Sequence, residues 1–180
     1  MDFDKDKHDE SYMEIARVIA KRSYAKKKQV GAIIVKNRAI ISDGYNGTPA
    51  GFDNECEIPL YDRGLGYPDP ETEDWLDTMT AEQREIEVAK MYKPIGWHTK
   101  PHVLHAEANA ITKLARSTNS SEGSTLYLTW SPCLECAKLI IQAGIRRVVV
   151  GEHYKKPEGM ILLEKAKVKI TRLYSDDAKK

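Results

Sequence analysis

The alternation of apolar and polar positions divides the chain into recognisable elements. Tyr12, Ile15, Ala16 and Ile19 recur at helical spacing, which predicts a first helix running to about Tyr24, with Ser11 and Glu14 as a capping box. Val30 to Val35 and Arg38 to Ser42 are short aliphatic runs joined around Asn37, the pattern of an antiparallel hairpin, expected in the centre of a sheet. Ala110, Ile111 and Leu114 form a second helical stripe just after His105. Ser124 to Trp130, Arg146 to Gly151 and Val168 to Tyr174 then read as strands, separated by helical stretches near Cys133 to Ala143 and near Pro157 to Lys165. Strands alternating with helices pair in parallel. The expected fold is therefore α/β: a three-layer α/β/α sandwich around a central mixed five-stranded sheet.

Between Phe52 and Pro101 the pattern changes, with prolines at 59, 68, 70, 94 and 101, many acids, and one expected helix near Ala81 to Met91. This stretch reads as an insertion, at about 52–101, into a single domain spanning 1–180. Long segments without sheet signals serve as a lid, an interface or a regulatory element, or are plain surface excursions. The sequence leaves both open.

Composition narrows the picture. At 180 residues the chain suits one well-buried domain. Its 28 Lys plus Arg balance 27 Asp plus Glu, so the strong basic footprint of a nucleic-acid binder is missing and a small substrate is favoured. No apolar run approaches the ~20 residues needed to span a bilayer. The start, Met1-Asp2-Phe3-Asp4-Lys5-Asp6-Lys7, is too charged for a signal peptide. Three cysteines cannot all pair, which argues for a cytoplasmic location, with Cys56 a plain thiol. The Asp- and Lys-rich tails are expected to fray.

The chemistry resides in His105-Ala106-Glu107 and Pro132-Cys133-Leu134-Glu135-Cys136. With Pro132 at a first helical position, Cys133 and Cys136 share one helix face, so both sulfurs can reach one metal. His105 adds a third ligand. Structural zinc is usually closed by four protein ligands, whereas catalytic zinc keeps a position for water whose pKa falls to roughly 7. Cys-x-x-Cys alone is equally a redox pair or a zinc knuckle, and only Cys56, His98 and His102 could supply a fourth ligand. Glu107 is free to carry protons, provided that it and His105 lie in the irregular first turn of a helix. The partial positive charge of two helix starts would favour thiolates there.

Other candidates are less specific. Asn46, between Tyr45 and Gly47, offers a donor and an acceptor to a sugar hydroxyl or base edge, or is a left-handed turn residue. His153 and Tyr154 follow a strand's carboxyl end, where open α/β sheets place ligand groups, and Lys155 and Lys156 could meet a phosphate or simply be solvated.

His-x-Glu followed by Pro-Cys-x-x-Cys is the signature of zinc deaminases acting on nucleobases. From about Tyr12 to Tyr174 the chain resembles the deoxycytidylate (dCMP) deaminases of animals and tailed bacteriophages, within the cytidine/deoxycytidylate deaminase superfamily. The resemblance rests on Gln29-Val30-Gly31-Ala32, Gly44-Tyr45-Asn46-Gly47, His105-Ala106-Glu107-Ala108-Asn109-Ala110-Ile111, Ser131-Pro132-Cys133-Leu134-Glu135-Cys136-Ala137-Lys138 and Ile140-Ile141-Gln142-Ala143-Gly144-Ile145. It implies a cytidine deaminase-like fold and conversion of dCMP to dUMP and ammonia, feeding thymidylate synthesis. It also implies a homohexamer activated by dCTP and inhibited by dTTP with Mg2+. Under it, Glu107 is catalytic and His105, Cys133 and Cys136 hold one Zn2+ per subunit, the extra cysteines of a second site seen in some phage relatives being absent. Asn46, Ala106, Trp130, Ser131 and Tyr154 become substrate contacts, and Gly44, Tyr45, Asn46 and Gly47 lie near the effector. Trp130 departs from the family pattern, where smaller or different side chains are common, and this bears on the shape of the base pocket. The rival readings are a tRNA adenosine deaminase, whose metal site is similar, and a non-catalytic zinc-stabilised nucleotide sensor. Riboflavin-pathway deaminases space their cysteines more widely, and free-cytidine deaminases more often carry Cys where His105 stands.

Overall fold

The computed structural model describes residues 6–61, 70–92, 94–153 and 156–173, and the chain divides into two compact units, Glu57–Pro101 and the remainder. In chain order the elements are α1 (Asp9–Ala20), β1 (Gly31–Lys36), β2 (Ala39–Tyr45), β3 (Glu57–Tyr61), α2 (Pro70–Asp77), α3 (Ala81–Met91), β4 (Pro94–Thr99), α4 (Ala106–Leu114), β5 (Thr125–Leu128), α5 (Leu134–Gln142), β6 (Arg147–Val150), α6 (Glu158–Lys165) and β7 (Lys169–Arg172).

The larger unit is built on a five-stranded mixed sheet in the order β2-β1-β5-β6-β7. β1 runs antiparallel to both β2 and β5, whereas β5, β6 and β7 are parallel. The expected hairpin exists, but it is not central, because β2 forms an edge of the sheet. Its turn is Asn37-Arg38, both with positive φ, the geometry that a tight two-residue hairpin demands.

Strand alternation assigns the two faces. Ala32 and Ile34 of β1, Leu126 and Leu128 of β5, and Val148 and Val150 of β6 pack with Ala110, Leu114, Ala137, Ile140, Met160 and Leu163, the inner faces of α4, α5 and α6. The intervening residues Ile33, Val35, Tyr127 and Val149 pack with Met13 and Ala16 of α1 on the other face. Strands buried on both faces read as unbroken aliphatic runs, which is why Val148-Val149-Val150 carries no polar alternation.

α1 begins at Asp9 rather than at Ser11. His8 occupies the cap position without a side-chain cap bond, and Ser11 and Glu14 lie inside the helix instead of forming a capping box. The helix ends at Ala20, before the expected Tyr24. Asp9 is drawn inward instead: its carboxylate accepts from the Arg147 guanidinium at 2.6 and 2.9 Å and from the Tyr127 hydroxyl at 2.9 Å.

In the unit Glu57–Pro101, β3 and β4 form an antiparallel two-stranded sheet that the proline count had hidden. In a two-stranded sheet every strand has an unpaired edge, the setting in which Pro59 and a strand-opening Pro94 are tolerated. α3 starts on a complete capping box, with Thr80 and Gln83 each accepting the other's backbone N–H. Arg84 bonds Glu73 of α2, at 2.6 Å, and Asp77. Among the described residues, no helix is long and apolar enough to cross a membrane.

Candidate active site

Two helix starts meet on one face of the sheet. His105 is the cap residue of α4 and Cys133 that of α5, both with extended backbone and neither bonding its own helix through its side chain. Pro132 therefore precedes the cap of α5 instead of occupying its first turn. A side chain at the cap normally satisfies orphan N–H groups of the first turn. Here His105 and Cys133 turn toward each other instead.

His105 Nδ1 lies 3.6 Å from Cys133 Sγ and 3.4 Å from Cys136 Sγ, and the ligand atoms of all three residues fall within 4.8 Å of one another. A nitrogen roughly 2.0–2.1 Å and a sulfur about 2.3 Å from zinc, set at the tetrahedral angle, stand about 3.6 Å apart. The donor set and its spacing thus fit one face of a zinc tetrahedron. Exposure grades across it: Cys136 is buried, Cys133 half-buried and His105 exposed, so the face is reached from the His105 side.

The sulfurs titrate as a pair. Hydrogen bonds from Cys136 and then His105 lower the Cys133 thiol to about 3, while the bond to Cys133 and burial push Cys136 upward. The bond to Cys133 also raises the pKa of His105, against the effect of burial. Cys133 is thus the readier thiolate, and Cys136 loses its proton only when a cation at the site replaces it.

Glu107 is the second residue of α4 and only 4 % exposed. Burial pushes its carboxyl above the usual range, opposed by a backbone hydrogen bond at its own position and by the nearby His105. His105 and Glu107 reach one site for the anticipated reason: a cap residue and a first-turn residue are not bound by regular helix spacing. Between them, Ala106 is fully buried.

Backbone pairing brings further loops to the same end of the sheet. Gly47 exchanges hydrogen bonds with Leu104, of 3.1 and 2.9 Å, next to His105. Thr129 donates its N–H to the Gly31 carbonyl and accepts the Gly31 N–H on Oγ1, each at 3.0 Å. Ser131, buried, donates its N–H to the Glu152 carbonyl at 2.9 Å, and Trp130 is half-buried beside it. Asn46 is neither a left-handed turn residue nor an open donor–acceptor pair. Its Oδ1 accepts from Val30 N at 2.8 Å and its Nδ2 donates to the Lys28 carbonyl at 2.9 Å, bracing the loop before β1. Gly44 has a packing reason: a Cβ there would stand 2.2 Å from Ala106 O and 2.5 Å from Ala110 N, so α4 rests directly on β2. The Tyr45 ring lies 5.2 Å from the Arg22 guanidinium and 5.8 Å from the Lys113 ammonium. Tyr154 and Lys155 lie outside the described residues. His153 and Lys156 are exposed.

Sequence reasoning passed over three supporting residues. Asn109, one turn beyond His105, donates to the Tyr45 carbonyl at 2.9 Å; its signal was a polar residue within an apolar stripe. Thr129 carried no signal. Gly159, at the start of α6, would bring a Cβ within 2.2 Å of Pro132 O and 2.7 Å of Cys133 O, so α6 backs the Cys133 cap.

Residues 6–152 match the family model described as the cytidine and deoxycytidylate deaminase zinc-binding region. The chain belongs to this family. It is a deaminase, and its metal-site cluster coincides with the region for which the family is described. The deoxycytidylate deaminase of Enterobacteria phage T4 is 38% identical over 156 residues, which cover 80% of this chain and 77% of that one. The deoxycytidylate deaminase of Mycobacterium phage D29 is 34% identical, over 78% and 91% of the two chains. Among solved structures, a dCMP deaminase from the cyanophage S-TIM5 in complex with dCMP and dUMP superposes with a TM-score of 0.69 at 32% identity, covering 94% of this deaminase and 98% of that one.

Proposed function

We propose that this chain is a zinc-dependent deaminase that converts dCMP and water to dUMP and ammonia. The observation that carries the reading is geometric. Three donors, His105, Cys133 and Cys136, are spaced for a zinc tetrahedron with one position to spare, and the neighbouring buried carboxylate of Glu107 is not among them. The choice of dCMP over other amino-substituted rings follows the phage relatives named above.

Zinc bound by His105, Cys133 and Cys136 supplies Lewis acidity that makes water nucleophilic at neutral pH. Glu107 does the proton work. It takes one proton from the attacking water as that water adds to C4 of cytosine and delivers it to N3, then carries the second proton from the new C4 hydroxyl to the amine, which leaves as ammonia while C4 becomes the carbonyl of uracil. Burial favours this role, because a carboxyl with a raised pKa accepts a proton at neutral pH more readily than one in water. The Ala106 backbone at the start of α4 and the Trp130-Ser131 segment contact the pyrimidine. Asn46 serves the nucleotide by fixing the loop before β1. The Gly44-Tyr45-Asn46-Gly47 stretch borders the effector site, where dCTP activates and dTTP with Mg2+ inhibits, in a cytoplasmic homohexamer.

The test follows the ultraviolet absorbance of dCMP, cytidine and an adenosine-containing tRNA stem-loop with zinc-loaded protein, with dCTP, with dTTP or with neither. Turnover of dCMP alone, shifted in opposite directions by the triphosphates, is the expected result. Reaction of the RNA alone would overturn the substrate assignment and leave the metal chemistry standing.

A further inference from the structure

We propose that the side-chain carbonyl of Asn109 accepts the 3′-hydroxyl of the bound deoxyribose, so that the site reads the sugar as well as the base. This rests on the nucleotide deaminase reading above. Asn109 stands in α4 four residues after His105, and its N–H donates to the His105 carbonyl at 2.9 Å. Residues at this spacing share one face of a helix, and helical side chains lean back toward the N-terminus. The Asn109 amide therefore leans toward the His105 end of α4.

The orientation of that amide is fixed. Its Nδ2 donates to the Tyr45 carbonyl at 2.9 Å, and because a backbone carbonyl only accepts, the nitrogen is the end that faces Tyr45. Oδ1 is thereby turned away from the end of β2. Among the described residues nothing donates to this oxygen, and in a half-buried residue it remains open to solvent. A carboxamide tethered at its nitrogen and open at its oxygen is a directional acceptor. It has lone pairs for an O–H or N–H and nothing for an ether or carbonyl oxygen.

Neighbouring segments place this acceptor beside the deamination centre. Tyr45 ends β2 and leads into Asn46 and Gly47, and Gly47 pairs with Leu104, the residue before His105. Asn109 spans the same two segments one helical turn further along. Asn46 Oδ1 already accepts from Val30 N, which leaves Asn109 Oδ1 as the unengaged carboxamide oxygen of this wall. When C4 of cytosine is turned to the metal donors, N1 and the sugar it carries lie across the ring and rest against the walls of the site. With its 5′ position esterified and no 2′-hydroxyl, dCMP has a single free sugar hydroxyl, at C3′. That group is the O–H donor for which a lone carbonyl oxygen is suited.

The experiment compares dUMP with 2′,3′-dideoxyuridine monophosphate, which lacks only the 3′-hydroxyl. Binding of each to zinc-loaded protein is measured by titration calorimetry, which needs no turnover, and kcat/KM is measured for dCMP and its own 3′-deoxy analogue. One neutral hydrogen bond is expected to favour the 3′-hydroxyl about three- to tenfold in wild type. Asn109→Ala should bring that ratio close to one. Asn109→Asp loses the donor to Tyr45 but keeps an acceptor, so it should bind both ligands more weakly and retain the preference. A purely bracing role would weaken both ligands alike in Asn109→Ala and leave the ratio unchanged, which overturns the proposal. So does a wild type indifferent to the 3′-hydroxyl, a result that needs no variant. The two readings fail separately. A 3′-preference that Asn109→Ala abolishes, without turnover of dCMP, sinks the substrate assignment alone, whereas dCMP turnover with no 3′-preference sinks the Asn109 proposal alone.

Discussion

Under the proposed mechanism, Glu107 carries the proton transfers of the site in one side chain. This carboxyl is 4 % exposed, lies beside the donor cluster and is outside the three-donor set, which suits it to moving protons. Substituting Glu107→Gln keeps shape and hydrogen bonding but removes the exchangeable proton. The expected variant holds as much zinc per chain as wild type, measured by atomic absorption, and loses ammonia release by at least ~100-fold. Wild-type turnover would remove Glu107 from the mechanism, and loss of zinc would recast it as a ligand. At this scale the donors and the carboxylate were legible because their chemistry is written in residue type and short spacing. Asn46 was not. The left-handed turn reading fails, and what the sequence did not show is that the Asn46 amide braces the loop before β1 through Val30 and Lys28.

At the scale of elements, the site is made by helix starts resting on strands. Aliphatic runs and helical stripes revealed most of the framework, because burial on both faces of β1, β5 and β6 leaves little polar interruption. The position of β2 was less legible, since a hairpin looks the same in the centre of a sheet as at its edge. β3 and β4 were hidden by prolines, and the cap of α1 by a buried aspartate that a local motif search cannot see. Gly44 shows how such long-range packing reaches the chemistry. Its missing Cβ lets β2 touch the first turn of α4, where a methyl group would stand 2.2 Å from the Ala106 carbonyl. Gly44→Ala must lift α4 and carry His105 and Glu107 with it. Overpacking against backbone costs about 1–3 kcal/mol. The variant is therefore expected to melt several degrees lower and to lose most of its deaminase activity, as read by calorimetry and ammonia release. Wild-type melting with wild-type activity would mean that α4 and β2 adapt to each other, and that Gly44 is retained for some other purpose.

Across the larger unit, the sheet separates two tasks. The α4–α5–α6 face carries the metal donors, whereas the α1 face carries a buried polar cluster of Asp9, Tyr127, Arg147 and Thr171 that the deamination mechanism does not use. Asp9 is 0 % and Arg147 14 % exposed, so this ion pair is shielded from solvent screening and ties α1 to β6. Burial opposes the charge on Asp9, but hydrogen bonds from Arg147 and Tyr127 outweigh it and hold the carboxyl below its ordinary value. Burial and then the bond to Asp9 keep the Tyr127 phenol protonated as a donor. A carboxyl whose folded pKa is depressed adds stability above its unfolded value, near 3.9, and that stability fades as pH falls through the lower folded value. Asp9→Asn leaves Arg147 buried without its counter-charge, and breaking a buried pair on one side costs roughly 3–5 kcal/mol. The variant should therefore have a clearly lower Tm at neutral pH, and the gap should narrow only below about pH 4. Protonation of the metal donors also weakens the protein in acid, but wild type and variant share that loss and it cancels in the difference. Calorimetric melts of both proteins from pH 3 to 7 make the comparison. A gap constant across that range would show that Asp9 contributes shape rather than charge, and a gap that widens in acid would reverse the assigned sign.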